Sequence, residues 1–336
     1  EKKLMDYPRK MIMDNALQSS LSVKKGTYEK FLKYLDLITM AESISLSEIN
    51  LIEPAKKQDV LKPFFPKKKY NYLLGIFLGL FWGLGVAFFV EYMDDTLRTP
   101  EDLAKFDTLT LLGTIPRSKR IKKGLISTLD PKSPVVEAYR VIKNNLKHIS
   151  LRRPLKSLII TSSEKANGRT TTVVNLGIAI AKEGKRALLI DLDLRNPGIH
   201  KKFGPNNVKG IVDYLVDDLP MKEITRKDTG INNLNIIPCG TPPSDPAVII
   251  ESPKIKEVID ELSREYDLIL IDSAPLTVVN DALVLGNYTD GLIIIVESGK
   301  TTLQTLKRSL ELLKNADLKF QGIVFNILKS IYGKYY

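Results

Sequence analysis

Gly168, Arg169, Thr170 and Thr171 close a polar loop that separates an apolar run, Leu158, Ile159 and Ile160, from a helix-forming segment. A second apolar run, Ala187 to Ile190, follows that segment and ends in Asp191, Leu192, Asp193, Leu194 and Arg195. Strand, loop, helix, strand and acidic pair is the order of a nucleoside triphosphate site. In such a site loop amides and the positive end of the helix cradle phosphates. One basic side chain neutralises β/γ charge, a hydroxyl holds Mg²⁺, and carboxylates at the next strand end hold the metal's waters or take a proton.

The loop departs from the usual pattern twice, and both departures count against full activity. Arg169 stands where a lysine is usual, which keeps the charge but replaces a compact ammonium with a planar fork. Ala166 stands where a glycine usually lets the backbone approach phosphate, although Asn167 beside it tolerates positive φ better than most residues. Taken alone, the loop also reads as an Asn-Gly turn between a strand and a helix. Farther along, Leu268, Ile269, Leu270 and Ile271 run into Asp272, with Ser273, Ala274 and Pro275 after it. That is the form of a Walker B strand whose Asp orders Mg²⁺ through water. A capping or turn carboxylate is the plainer reading of Asp272.

The elements that must position these residues belong to a chain of 336 residues, long enough for two domains. Its 50 Lys plus Arg against 39 Asp plus Glu give a formal charge of +11, which suits an anionic partner such as a membrane surface. No groove-reading motif or aromatic stacking series accompanies that charge, so nucleic acid is not expected as a partner. A single cysteine, Cys239, excludes an internal disulfide framework. The chain opens on Glu1 without a signal peptide and is expected to be a fragment or processed form, with sequence missing upstream.

Residues from Met5 to about Met40 predict a helix with Phe31, Leu32, Leu35, Leu37 and Ile38 on an apolar side, and partial alternation from Ile44 to Leu51 predicts a half-buried strand. Pro54, Pro63 and Pro66 punctuate a basic linker that ends in Lys67, Lys68 and Lys69. From Tyr70 to Val90 no side chain is charged; about 21 residues at ~1.5 Å rise give roughly 31 Å, a bilayer's hydrocarbon thickness. This predicts a transmembrane helix, with Gly75, Gly79 and Gly83 on one face and Tyr70, Tyr72 and Tyr92 near its ends. A buried core helix is the alternative. The lysines before the span would place its N-terminal side in the cytoplasm. A nucleotide site after the span needs cytosolic ATP, and that requirement places the C-terminal side there instead. The basic cluster Lys119, Arg120, Lys122 and Lys123 then faces anionic headgroups. The segment Asp94 to Asp102 predicts a helix start, with Thr99 as cap and Pro100 at its first position, and Gly113, Thr114, Ile115 and Pro116 predict a turn.

The linker, the glycine-bearing span, the segment Glu91 to Asp102 and the turn around Gly113 resemble the end of a polysaccharide co-polymerase, or chain-length determinant, module. From about Pro131 onward the chain resembles the cytoplasmic domain of bacterial tyrosine kinases of the MinD/ParA-like P-loop class, fused to such modules in capsule and exopolysaccharide export. The resemblance is carried by Asp191, Asp193 and Arg195, by Asp272 and Pro275, and by Ser133, Pro134, Glu137, Arg140 and Lys143. It implies an α/β fold, a mostly parallel sheet flanked by helices, preceded by a small α+β extracytoplasmic piece and one transmembrane helix. The domains would be 1–66 extracytoplasmic, 67–92 spanning, 93–130 juxtamembrane, 131–328 P-loop kinase and 329–336 a tyrosine-rich tail.

Carried over by position, the resemblance implies MgATP as substrate and Mg²⁺ as cofactor. Arg169 would take the phosphate-binding lysine's place, with Asn167, Gly168 and Thr171 in the cradle and Thr170 supplying the Mg²⁺ hydroxyl. Asp191 looks like the carboxylate that accepts a tyrosine proton, Asp193 and Asp272 hold Mg²⁺ or its waters, and Asn326 is similar to an adenine-reading Asn. Glu137, Arg140 and Lys143, three apart and so on one helix face, would form an oligomerisation strip of a ring; a solvated charged face is the alternative. Tyr332, Tyr335 and Tyr336 would be phosphoacceptors presented to a neighbouring subunit. Polymerase, export machinery and a tyrosine phosphatase would be partners at the cell membrane. Two other classes stay open: a nucleotide-binding or nucleotide-blind scaffold, favoured by Arg169 and Ala166, and a partitioning-type membrane ATPase.

Overall fold

The structure, a computed structural model, describes residues 6–45, 67–106, 109–117, 125–204 and 209–328. Its contacts divide the chain into two compact units, Glu1–Val86 and Ala87–Tyr336.

The first unit holds α1 (Asp6–Ser45) and most of α2 (Lys68–Tyr92). Helix α1 runs on through Ile44 and Ser45, where the alternation predicts the start of a strand. No glycine or proline stands between Met40 and Ser45 to stop it; the rest of the expected strand, and the proline-punctuated linker, lie outside the described residues. Helix α2 matches the uncharged run, and none of its residues is buried, which removes the core-helix alternative. Among the described residues it is the one helix long and apolar enough to cross a membrane.

The second unit is built on seven parallel strands, β1 (Leu111–Pro116), β2 (Ser157–Ser162), β3 (Ala187–Asp191), β4 (Leu234–Ile237), β5 (Leu268–Asp272), β6 (Gly291–Glu297) and β7 (Phe320–Leu328), in the order β1-β7-β6-β2-β5-β3-β4. All inter-strand pairings are parallel, so the connections cross over through helices that cover both faces. This accounts for the unbroken apolar runs: Leu158, Ile159, Ile160, Leu188, Leu189, Ile269, Leu270 and Ile271 each show no exposed surface. The sheet separates two apolar layers, one gathering Ile159, Leu188, Ile269 and Phe325, the other Leu158, Ile160, Leu189 and Val324.

Two segments read as connectors are parts of this body. The expected turn at Gly113–Pro116 is edge strand β1, because Leu112 and Ile115 bury themselves while the strand pairs with β7. Gly113 is required there, since a Cβ would stand 2.6 Å from Ile142 Cγ1 of α3 (Pro134–Arg152). Residues 95–98 form a strap against the loop after β6: Leu97 N–H donates to Thr301 O, Gly299 N–H to Leu97 O, and Leu303 N–H to Asp95 O, at 2.8–2.9 Å. The expected helix start is a short 3₁₀ turn, Pro100–Lys105; Thr99 makes no side-chain cap bond, and the Asp102 carboxylate accepts the N–H groups of Arg98 and Thr99 instead.

Helix α3 also corrects the expected strip. Glu137 and Arg140 are exposed and pair with each other at 3.1 Å. Lys143 is buried and pairs with Glu183, just past α4 (Arg169–Ala181). Steps of three turn about 300° each on a helix, so over six residues the row drifts off the exposed face.

Asp290 fixes the start of β2, its Oδ2 accepting Lys156 N–H at 2.8 Å, Ser157 N–H at 2.9 Å and Ser157 Oγ–H at 3.1 Å. Asp290→Ala leaves the donors of buried Ser157, and that of exposed Lys156, without their acceptor and is expected to cost about 1–3 kcal/mol, with Asp290→Asn costing less. Chemical denaturation followed by far-ultraviolet circular dichroism measures both; an unchanged midpoint for the alanine variant would contradict this account.

Candidate functional site

The sheet order puts β2, which carries the loop, directly beside β5, whose end is Asp272, and β5 beside β3, whose end is Asp191; Asp191 and Asp272 are register partners. Loop 163–168 leaves β2 and enters α4 through Gly168, whose φ is 77°. A Cβ on Gly168 would lie 2.1 Å from Asn326 Nδ2 and displace that side chain from the loop, and at this φ any other residue would be strained. The strained residue is Ala166, with φ 59°; Asn167 does not take the positive φ that its side chain would tolerate. Asn167 is held by its side chain instead: Nδ2–H donates to Thr301 Oγ1 at 3.0 Å, and the Asn167 carbonyl accepts Asn326 Nδ2–H at 2.8 Å. From outside the loop, Lys300 Nζ donates to the carbonyls of Lys165 and Ala166 at 2.8 and 3.1 Å.

Three carboxylates surround the first turn of α4. Asp272 has both oxygens occupied, Oδ1 by Arg169 Nε–H at 2.7 Å and Oδ2 by Thr170 Oγ1–H at 2.5 Å. Asp193 accepts Asn196 N–H at 3.1 Å and Arg169 Nη2–H. Arg169 Nη1–H reaches Ser162 Oγ at 3.3 Å, and the whole arginine is 8% exposed. Asp191 is fully buried; its Oδ2 accepts the N–H groups of Gly198 and Ile199, both at 2.9 Å, and its Oδ1 has no partner among the described residues.

Burial raises all three carboxyl groups above their usual range. For Asp191 desolvation, then the neighbouring Asp272 charge, pushes the group up to about 8 against the two backbone N–H bonds. Asp193 and Asp272 are raised by desolvation, and the Arg169 charge acts against that rise in both. Arg195 sits at the rim, paired through Nε with Asp281 at 3.0 Å.

These residues fit a nucleotide with Mg²⁺. Thr170 and Asp272 stand side by side, an unpartnered buried Asp191 oxygen faces no protein donor, and the loop turns on a glycine with no room for a side chain. No group of three His, Cys, Asp or Glu among the described residues is spaced to hold a metal alone. Mg²⁺ keeps waters and leans on one or two protein groups and substrate phosphates, and Thr170 and Asp272 are such a pair.

The fold thus brings together Asn167, Gly168, Arg169, Thr170, Asp191, Asp193, Asp272 and Asn326, with Thr171 half-buried in the first turn of α4. Asn326 braces the loop through Asn167. Tyr332, Tyr335 and Tyr336 lie outside the described residues. Thr301 and Lys300, which hold the loop from the β6 side, carry no sequence signal, because their partners lie 134–135 residues away.

Residues 156–322 match the family model of an AAA domain. The chain is 34% identical over 223 residues to the tyrosine-protein kinase YwqD of Bacillus subtilis, covering 65% of this chain and 94% of that protein. It is 26% identical over 344 residues to a putative tyrosine-protein kinase in the cps region of Klebsiella pneumoniae, covering 95% of this chain but 46% of that longer relative. The crystal structure of the chimerical protein CapA2B2 superposes with a TM-score of 0.64 at 28% identity, covering 69% of this chain and all of that one.

Two measurements check the site in nucleotide-free protein with chelator present. Ala166→Gly relieves a left-handed alanine and is expected to stabilise by roughly 0.5–1 kcal/mol. Asp191, raised from 3.8 to about 8, stabilises the fold most below pH 3.8 and loses that contribution as pH rises through 8. Asp191→Asn keeps an acceptor for Gly198 and Ile199 and removes the titration, so its denaturation midpoint should gain on the parent's across that range. Parallel profiles would mean that Asp191 ionises without penalty.

Proposed function

The chain belongs to the family of bacterial tyrosine-protein kinases, and we propose that it is a membrane-anchored tyrosine autokinase that uses MgATP to phosphorylate the C-terminal tyrosines of a neighbouring copy. The observation that carries this reading is the grip of Asp193 and Asp272 on the first turn of α4, beside the loop ending at Gly168, with Asp191 opposite Asp272 on the neighbouring strand. In-line phosphoryl transfer needs positioning and charge neutralisation more than covalent chemistry, which matches this inventory.

Loop amides from Asn167 to Thr171 hold the phosphates, and Arg169 supplies the positive charge there. Thr170 and Asp272, with Asp193, hold Mg²⁺, which when bound offsets phosphate charge. The Asp191 Oδ1 atom accepts the proton of the tyrosine hydroxyl as its oxygen bonds to the γ-phosphorus and ADP leaves. Burial brings Asp191 toward neutral pH, where a carboxylate can both take and release that proton. The acceptors are Tyr332, Tyr335 and Tyr336, and Asn326 is the adenine-reading residue that the sequence resemblance implies. The assembly is a ring of copies in the cell membrane, spanned by α2, with the P-loop unit in the cytoplasm and Glu137 and Arg140 at the subunit contact. The wider role is control of capsular or exopolysaccharide chain length and export, with polymerase and a tyrosine phosphatase as partners; the sequence resemblance supports it.

One observation favours a second reading, in which the chain is a scaffold that does not transfer phosphate: the Arg169 guanidinium lies among the carboxylates rather than over the loop. Phosphotyrosine detection on the full chain with MgATP separates the two. The kinase reading expects labelling of the parent, a loss of about 10²–10⁴-fold in Asp191→Asn, and an increase in Arg169→Lys. A parent that binds ATP yet carries no phosphotyrosine would establish the scaffold.

A further inference from the structure

We propose that Arg169 is the resident cation of the ligand-free site: it occupies the two carboxylates that a divalent cation would use, so the free protein excludes the metal, and metal and nucleotide enter together as the guanidinium leaves. The inference rests on the assignment of Asp193 and Asp272 to the metal side of the site.

The geometry carries it. Nε and Nη2 of one guanidinium engage Asp272 Oδ1 and an Asp193 oxygen, and Nη1 engages Ser162 Oγ at 3.3 Å. With Thr170 on the second Asp272 oxygen, each oxygen of that carboxylate already accepts a hydrogen bond, one of them from the guanidinium. Asp272 is 0% exposed, Asp193 2% and Arg169 8%, so each charge has given up water and depends on its partners. A lysine ammonium concentrates its three donors on one atom at the end of a flexible stem, whereas the planar fork spreads its donors over Asp272, Asp193 and Ser162 in one rigid plane. The arginine at this place is therefore what lets the chain neutralise its own acidic pocket.

Release needs replacements for both halves of the interaction. A divalent cation replaces the guanidinium on the carboxylates, and nucleotide phosphates replace the carboxylates around the guanidinium. Neither ligand alone supplies both, which makes their entry mutually dependent.

The test is Mn²⁺ binding to the full chain in detergent, without nucleotide, followed by the loss of the free-ion electron paramagnetic resonance signal. The parent should leave the signal unchanged at this site. Arg169→Met should bind one ion at least roughly tenfold more tightly, and adding Asp272→Asn should abolish that gain. Should Arg169→Met not yield folded protein, Arg169→Lys decides by the same measure, with a smaller gain. A parent that binds Mn²⁺ as tightly as the variants, or variants that gain nothing, overturns the proposal. Binding of a fluorescent ATP analogue with Mg²⁺ to the parent is measured alongside. If the parent fails to bind it while the Mn²⁺ gain holds, the kinase reading and the joint entry of metal and nucleotide fall, and the exclusion of metal by Arg169 stands; ATP binding without the gain overturns that exclusion and leaves the kinase reading.

Discussion

One guanidinium between two buried carboxylates is the interaction on which the site depends. Parallel strands carry the chain's acidic residues to the C-terminal ends of β3 and β5, where helices on both faces exclude water. Left there without a counter-charge, ionised Asp193 and Asp272 would bear a desolvation cost that no surface residue offsets. Arg169 is available because the loop 163–168 leads from the end of β2 straight into the first turn of α4, and β2 lies next to β5. The sheet order and the electrostatics of the site are thus one constraint: another order would separate the guanidinium from its carboxylates.

The loop is held in shape from the side opposite the carboxylates. Asn167 donates to Thr301, whose carbonyl accepts the N–H of Leu97, and Gly299 N–H returns the contact to Leu97. Lys300 binds two loop carbonyls, one of them on the strained Ala166. A residue in a left-handed conformation persists only when its surroundings over-determine it. Here Asn326, Thr301 and Lys300 together do so, and the strap at 95–98 is continuous with that bracing. The segment that leaves α2 is accordingly an integral part of the nucleotide-fold unit, as is β1 at its edge.

Asp191 has a different character from the other two acids. It rests on two backbone N–H groups rather than on the arginine, with one oxygen left unpartnered among the described residues. Its neighbour Asp272 adds repulsion to burial, so the proton stays on to higher pH than in an ordinary carboxyl. Burial raises both acids, and they differ in their partners: Asp272 faces the guanidinium and the Thr170 hydroxyl, Asp191 two backbone N–H groups.

The sequence by itself determined the strands that build the sheet and the chemistry placed at their ends. A parallel strand buried on both faces must be apolar throughout, so Leu158–Ile160, Ala187–Ile190 and Leu268–Ile271 announce themselves, and Asp191 and Asp272 mark the ends of the last two. The uncharged run that became α2 was legible for the same reason. Edge strand β1 was not, because a glycine that admits Ile142 and a terminal proline look locally like a turn. Nor was the inward turn of Lys143, which answers to Glu183 forty residues on. Only the tertiary structure decided that Ala166 rather than Asn167 carries the strain, and that Arg169 turns toward Asp193 and Asp272. Those outcomes depend on partners 24 to 159 residues away, whose distances no local pattern encodes.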